Sequence, residues 1–202
     1  MGLESAPAFR SFVEELSSDR PSPGGGTASA AAGSMAAALL IMVCRITAKS
    51  KKHKHNTAPL DMLEAELTVL RDRLMDLAEL DAAAYDDVVM TNRRMKGTGT
   101  QQSRELFQAA LKHAADVPMM TAEACLKVLE IGQKVKEIGL RTTSSDVTVA
   151  LLLAEAALAG GLANVEVNLT SITDDDYVRT VSKRVDELRR RARGVLTNNA
   201  SA

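Results

Sequence analysis

Leu60, Leu63, Leu67, Leu70, Leu74 and Leu77 follow one another in alternating steps of three and four. That is the spacing of a heptad seam, so the chain from about Pro59 to Arg94 is predicted as one helix of about nine or ten turns. Aromatic residues make up only 2% of the chain and Trp is absent. The core is therefore built of aliphatic side chains and alanine, which suits close helix packing better than a sheet that needs aromatic and β-branched cross-strand pairs. With 202 residues, 46% hydrophobic and 25% charged, the composition is that of one globular domain spanning 1–202. The expected class is all-α, a long-helix up-and-down bundle.

Other segments read the same way. Phe9, Phe12, Val13 and Leu16 share one helical face after Ser5 and Pro7, and this first helix is expected to stop near Pro21. A second helix is expected from about Thr27 to Lys49, with Ser29, Gly33 and Ala37 forming a strip of small residues that admits a close neighbour. After the long third helix, Lys96 to Gln102 reads as a polar loop, and Pro118 as the opening of a separate helical segment through Leu129. A nearly uncharged helix is expected from Asp146 to about Ala159, then an extended piece over Asn164 to Leu169, where Val165 and Val167 alternate. The terminal helix is capped near Thr173. It carries aspartates at its positive end and arginines at its negative end.

Three stretches could carry chemistry. RPSPGGGTASAAAGS, Arg20 to Ser34, leaves backbone N–H groups bare at three glycines and aims a helix N-terminus into the same space. That suits an anionic or carbonyl-bearing ligand, and equally a linker ahead of a helix. It is neither a phosphate loop with Gly-Lys-Ser/Thr nor a dinucleotide fingerprint. Asp81 stands where the leucine seam, continued by four, would place another leucine. A buried carboxylate there needs a partner or holds its proton near neutral pH, either of which suits acid/base work. A competing register through Leu77, Leu80, Ala84 and Val88 leaves Asp81 as a solvated helix charge, and periodicity alone favours it. Lys49, Lys51, Lys52, His53, Lys54 and His55 form a basic knot at the end of the second helix, either dipole-stabilised cations or a site for carboxylates or phosphates. Glu155, alone in an uncharged stretch, is expected to be buried or at an interface. Ser144, Ser145 and Asp146 read first as a helix N-cap cluster.

A formal net charge of −1 argues against nucleic acid or an anionic membrane as partner. Cys44 and Cys125 lack metal or redox spacing and are expected as reduced core residues, and the three histidines give no metal motif. No signal peptide is visible at the N-terminus, so a cytoplasmic home is expected. Thr27 to Cys44 is uncharged for long enough to touch the lower limit of a membrane span, but its Ala, Ser and Gly content favours a buried helix.

Taken together, SPGGGTASAAAGSMAAALLIMVC, DAAAY at Asp81 to Tyr85, Val117-Pro118, Ser145-Asp146 and NVEVNL from Asn164 resemble the cyclodeaminase/cyclohydrolase family of folate enzymes, in the same order over nearly the whole chain. The resemblance implies an all-helical homodimer with its folate site in a cleft at the subunit interface. It implies Asp81 as the catalytic carboxylate, which reverses the preference from periodicity. Pro23, Gly24, Gly25 and Gly26, together with Lys96, Ser145, Asp146 and Asn164, are its implied substrate-binding residues, and Lys51 and Lys52 are the natural partners of the folate glutamate tail. Arg94-Met95 stand where the family has Leu-Pro before the lysine, and Gly139-Leu140 where it has Gly-Asn. The implied reaction is at the N5–N10 bridge of tetrahydrofolate, cyclohydrolase or cyclodeaminase, with the folate as substrate and no metal or cofactor. The alternative is a non-catalytic helical homologue that keeps the fold.

Overall fold

The computed structural model describes residues 6–51 and 57–197. Among these residues the chain forms α1 (Ala6–Leu16), α2 (Gly25–Ala48), α3 (Ala58–Thr98), α4 (Gln101–Ile138), a 3-10 turn over Arg141–Thr143, α5 (Ser144–Leu169) and α6 (Asp175–Thr197), with no strand. Helices α2 to α5 close a four-membered ring in which α2 touches α3, α3 touches α4, α4 touches α5 and α5 returns to α2. Their directions alternate. The start of α2 meets the end of α5, where Gly25 faces Asn164, and the end of α2 meets the end of α4, where the Leu140 N–H donates to Thr47 Oγ1 at 3.4 Å. The up-and-down bundle is thus the one expected.

All six seam leucines are buried, and the seam continues at Ala84. A small residue lets α2 come close to both α3 and, across the ring, α4. A Cβ on Gly33 would stand 2.6 Å from Cys125 Sγ and 3.2 Å from a Leu74 methyl, so the close approach depends on the missing side chain. The two thiols are sealed in this packing, and burial pushes Cys44 up to about 11 and Cys125 up to about 12. Helix α2 and the stretch 141–169 are each long and apolar enough to cross a membrane by length and composition. Both instead supply core side chains to the ring, among them Ala36, Leu40, Ala150 and Leu162.

Several local expectations are corrected. Helix α1 stops at Leu16, short of Pro21, and its apolar Phe9 and Val13 are exposed. The polar loop expected over Lys96 to Gln102 shrinks to two residues, because Gly99 takes a left-handed φ of 62° as the C-cap of α3 and Thr100 caps α4 through Ser103 N–H. Pro118 opens no new segment and lies inside α4. A proline there has no N–H for the carbonyl of Ala114 four residues back. Asn168 Nδ2 takes that carbonyl at 2.5 Å, so the helix continues without an orphaned acceptor. The same bond corrects the reading of Asn164 to Leu169, which forms the last turns of α5: Val165 and Leu169 are buried one turn apart, and Asn164 Nδ2 donates to Gly160 O at 2.8 Å. Glu155 is exposed. Ser144, Ser145 and Asp146 form the first turn of α5 with no side-chain cap. Helix α6 is capped by Asp174, whose Oδ1 accepts from Tyr177 N–H at 3.0 Å. It is fastened to α4 by Arg184–Glu123 and Arg191–Glu130 and to α5 by a bidentate Arg189–Glu166 pair.

Candidate active site

At the end of the ring where α2 starts, a cleft of about 310 Å³ opens between the Pro21–Gly26 turn, the middle of α3, and the ends of α5 and its following turn. Gly24, Gly25, Gly26, Asp81 and Asn164 all line it, so five of the site residues expected from sequence converge. Pro23 precedes the first of these glycines and is half-buried.

Asp81 takes neither of the two positions weighed for it. The seam steps from Leu77 to Ala84, Leu80 is 41% exposed, and Asp81 sits half-buried on the flank that faces α2. Its Oδ2 accepts from Thr27 Oγ1 at 2.8 Å, and the Thr27 backbone N–H also supports the carboxylate. Helix α2 has Gly24 as N-cap and therefore no side-chain cap of its own. Asp81 supplies that function from another helix, placing an anion at the positive dipole end. Two opposed effects act on its acidity. Burial, the larger, pushes the carboxyl above its ordinary value of 3.8, while the Thr27 hydroxyl and N–H pull it down. The net direction is upward. A half-buried carboxyl whose pKa is raised in this way, facing an open cleft, is suited to taking and returning a proton.

The glycine turn has a more specific cause than ligand contact alone. A Cβ on Gly26 would overlap Asp81 Oδ1 and lie 2.6 Å from Asp81 Cγ, so glycine is required for the carboxylate to reach the helix end. Opposite, a Cβ on Gly25 would sit 3.2 Å from Asn164 Nδ2. Tyr85, Val88, Leu111, Ala114, Val167 and Asn168 complete the walls. Thr27 and Asn168 were missed as site residues in the sequence. Asn168 had a signal, since it lies four residues after Asn164. The role of Thr27 had none, because its partner is 54 residues away.

The other expected residues lie elsewhere in the protomer. Ser145 and Asp146 begin α5, about five turns and 27 Å along it from Asn164 at 1.5 Å per residue. Lys96 is on the last turn of α3, about 22 Å along that helix from Asp81. Lys51 is exposed beyond the far end of α2, and Lys52, with His53, Lys54 and His55, lies outside the described residues. Neither Arg94-Met95 nor Leu140 lines the cleft. No cluster of metal-ligating side chains occurs among the described residues.

The model of the formiminotransferase-cyclodeaminase family matches residues 8–187. The chain belongs to that family. It is 33% identical over 182 residues to the methenyltetrahydrofolate cyclohydrolase of Methylorubrum extorquens, covering 89% of this chain and 88% of that protein. It is 29% identical to the formimidoyltransferase-cyclodeaminase of Sus scrofa, over 92% of this chain but only 35% of that larger protein. The crystal structure of formiminotetrahydrofolate cyclodeaminase from Thermotoga maritima superposes with a TM-score of 0.82 at 26% identity, covering 92% of this chain and 90% of that one. Family membership and the cleft therefore rest on independent observations. The glycine turn and the Asp81 stretch that carry the sequence resemblance are the segments the fold brings face to face.

Proposed function

We propose that the protein acts on the one-carbon bridge of tetrahydrofolate, interconverting the 5,10-methenyl form with a ring-opened form, and that Asp81 is the acid/base group. The observation that carries this reading is a half-buried carboxyl of raised pKa held at the edge of a cleft by a single hydroxyl donor. In the hydrolytic course, Asp81 takes a proton from water as its oxygen bonds to the bridge carbon and the carbon–nitrogen π pair returns to nitrogen. The protonated carboxyl then gives its proton to the ring nitrogen whose bond to carbon breaks. The hydroxyl of the intermediate loses a proton to solvent as the formyl group forms, so one proton is released overall. In the deaminating course, N10 attacks the carbon of the protonated formimino group as the carbon–nitrogen π pair moves to the formimino nitrogen. Asp81 takes the N10 proton and gives it to that nitrogen, and ammonia leaves as the methenyl cation forms, so the positive charge the formimino group brings stays on the bridge. Both courses use the same carboxyl, and such proton transfer contributes about 100- to 10,000-fold in rate. The convergence of Gly24, Gly25, Gly26, Asp81 and Asn164 on one cleft favours the catalytic reading over a non-catalytic homologue that keeps the fold.

A homodimer belongs to the same proposal. Met35, Met42 and Ile46 of α2, with Val149 and Leu152 of α5, are exposed on two neighbouring helices, an apolar surface that a second copy would cover. The separation of Lys51, Ser145 and Asp146 from the cleft supports a site completed across such an interface, with the folate tail at the partner's basic end. Both long apolar helices supply core side chains to the ring, which supports a soluble protein. A dimer mass in sedimentation is the expected result. The functional test is the absorbance of methenyltetrahydrofolate, followed during hydrolysis and during its formation from 5-formiminotetrahydrofolate. The wild type should turn over at least one of the two, and Asp81→Asn should lose about 100-fold or more in kcat with KM little changed. An active Asp81→Asn protein would remove Asp81 from the mechanism.

A further inference from the structure

Thr27 stands three residues into α2, and its hydroxyl behaves unlike its neighbour's. Ser29 turns back on its own helix and donates to Gly25 O at 2.7 Å, the usual resort of a hydroxyl inside a helix. Thr27 instead points outward to α3 and donates to Asp81 Oδ2 at 2.8 Å, while its side chain is itself buried. That donor stands almost alone. Among the residues lining the cleft, Asp81 is the only charged one and Tyr85 the only other titratable one. The groups that share Asp81's surroundings are Gly26 and Thr27 from α2, Tyr85 on its own helix, Asn164 and Asn168 from α5, and Leu111 and Ala114 from α4. None is a cation. Lys112, on the turn next to Leu111, is engaged by Asp174 at 2.7 Å.

From this geometry we propose that Thr27 is the positioning residue of the site: its hydroxyl fixes the orientation of the Asp81 carboxyl, favours its anion and leaves Oδ1 as the oxygen that exchanges a proton with substrate. The proposal rests on the reading of Asp81 as the acid/base group. A hydroxyl that donates to a carboxylate stabilises the charged form. Burial works in the opposite direction. Without the hydroxyl, the carboxyl would stay protonated to higher pH and would lose the contact that chooses between its two oxygens.

The test uses Thr27→Val, which keeps the branched shape and removes the donor, and Thr27→Ser, which keeps the donor and removes the methyl. Protein labelled with ¹³C at the aspartate carboxyls is titrated by NMR, and Asp81→Asn assigns the resonance. In Thr27→Val the Asp81 midpoint should move up by about one pH unit, a tenfold change in acidity, and in Thr27→Ser it should stay close to wild type. The acid limb of the kcat/KM profile should move upward with it, and the serine variant should restore it. A midpoint unmoved in folded Thr27→Val, or a serine variant perturbed as strongly as the valine one, overturns the proposal. Should the valine variant fail to fold, Thr27→Ala removes the same hydroxyl with a residue well suited to a helix, and the same shift is expected. Because the titration needs no substrate, it decides the role of Thr27 even if wild-type protein turns over neither folate, an outcome that would defeat only the reading on which the proposal rests.

Discussion

Replacing Gly26 by alanine would separate the geometry of the site from the stability of the fold. The new Cβ would occupy the place of Asp81 Oδ1 and lie 2.6 and 2.7 Å from Asp81 Cγ and Oδ2, so the carboxyl must leave. Because the obstructing atoms are the tip of a short side chain, that chain can swing into the cleft without moving either helix backbone. The swing breaks the Thr27–Asp81 hydrogen bond, and bonds to charged groups contribute about 1.5–3 kcal/mol. Alanine in place of glycine within a helix recovers about 0.5–1 kcal/mol. The net loss is about 1–2 kcal/mol, equivalent to a fall in Tm of about 2–8 °C for a domain of this size. Activity should suffer far more, since a reacting group displaced by about 1 Å costs about 100-fold in rate. The assay pairs thermal melting by circular dichroism with turnover of methenyltetrahydrofolate. Gly97→Ala serves as control, because a Cβ there meets nothing within 4 Å, and it should leave turnover unchanged. A Gly26→Ala protein with wild-type kcat would refute the argument that the glycine exists to admit Asp81.

Pro118→Ala restores an N–H that competes with Asn168 for the Ala114 carbonyl, so stability should change by no more than about 1 kcal/mol, as the helix gain offsets lost ring packing and the lost Asn168 bond. KM should rise several-fold while kcat holds, because Asn168 is a cleft wall that loses its anchor; steady-state kinetics with paired melting curves checks both. Asp81→Asn should also change the pH dependence of stability. A carboxyl whose folded pKa lies above its unfolded 3.8 binds more protons when folded, so its contribution falls as pH rises from near 4 through the raised value. The Asn variant should therefore gain Tm over wild type at neutral pH and lose that gain below pH 4, as melting curves across the range would show.

What could be read in the sequence were features that repeat along one helix. The leucine seam needed no knowledge of other segments, and all six leucines are buried as expected. The glycine turn and Asp81 stood out as anomalies, a bare backbone and a carboxylate close to a leucine seam, although only the fold shows that Asp81 lies on the flank of that seam and that each explains the other. The errors fall where a local signal is answered from far away in the chain. Pro118 breaks a helix by local rules, yet Asn168, some 50 residues on, accommodates it. Val165 and Val167 alternate like a strand, yet Val165 is buried against the bundle while Val167 faces out beside the cleft. The separation of Lys51, Lys96, Ser145 and Asp146 from Asp81 is likewise a property of helix length and direction, which motif spacing does not encode.

The charge of the cleft accords with the proposed chemistry in a way neither observation requires alone. A methenyl bridge between two ring nitrogens is cationic, and deamination passes through a protonated amidine, so positive charge is present at the reacting carbon in both courses. The cleft offers one carboxyl and no cation among its lining residues. In a partly desolvated space that pairing is stronger than in water, and it holds the anion of Asp81 beside the carbon where a base is needed. The folate tail has the opposite charge and would be repelled by the same carboxyl. Placing basic side chains at the far end of a long helix, rather than around Asp81, keeps them from neutralising the proposed acid/base group. A lysine introduced at Val88, on the cleft wall, would pair with Asp81, lower its pKa and oppose the cationic bridge. It should therefore weaken binding of the methenyl form more than that of an uncharged folate, and equal losses for the two would show that charge has no part in the selection.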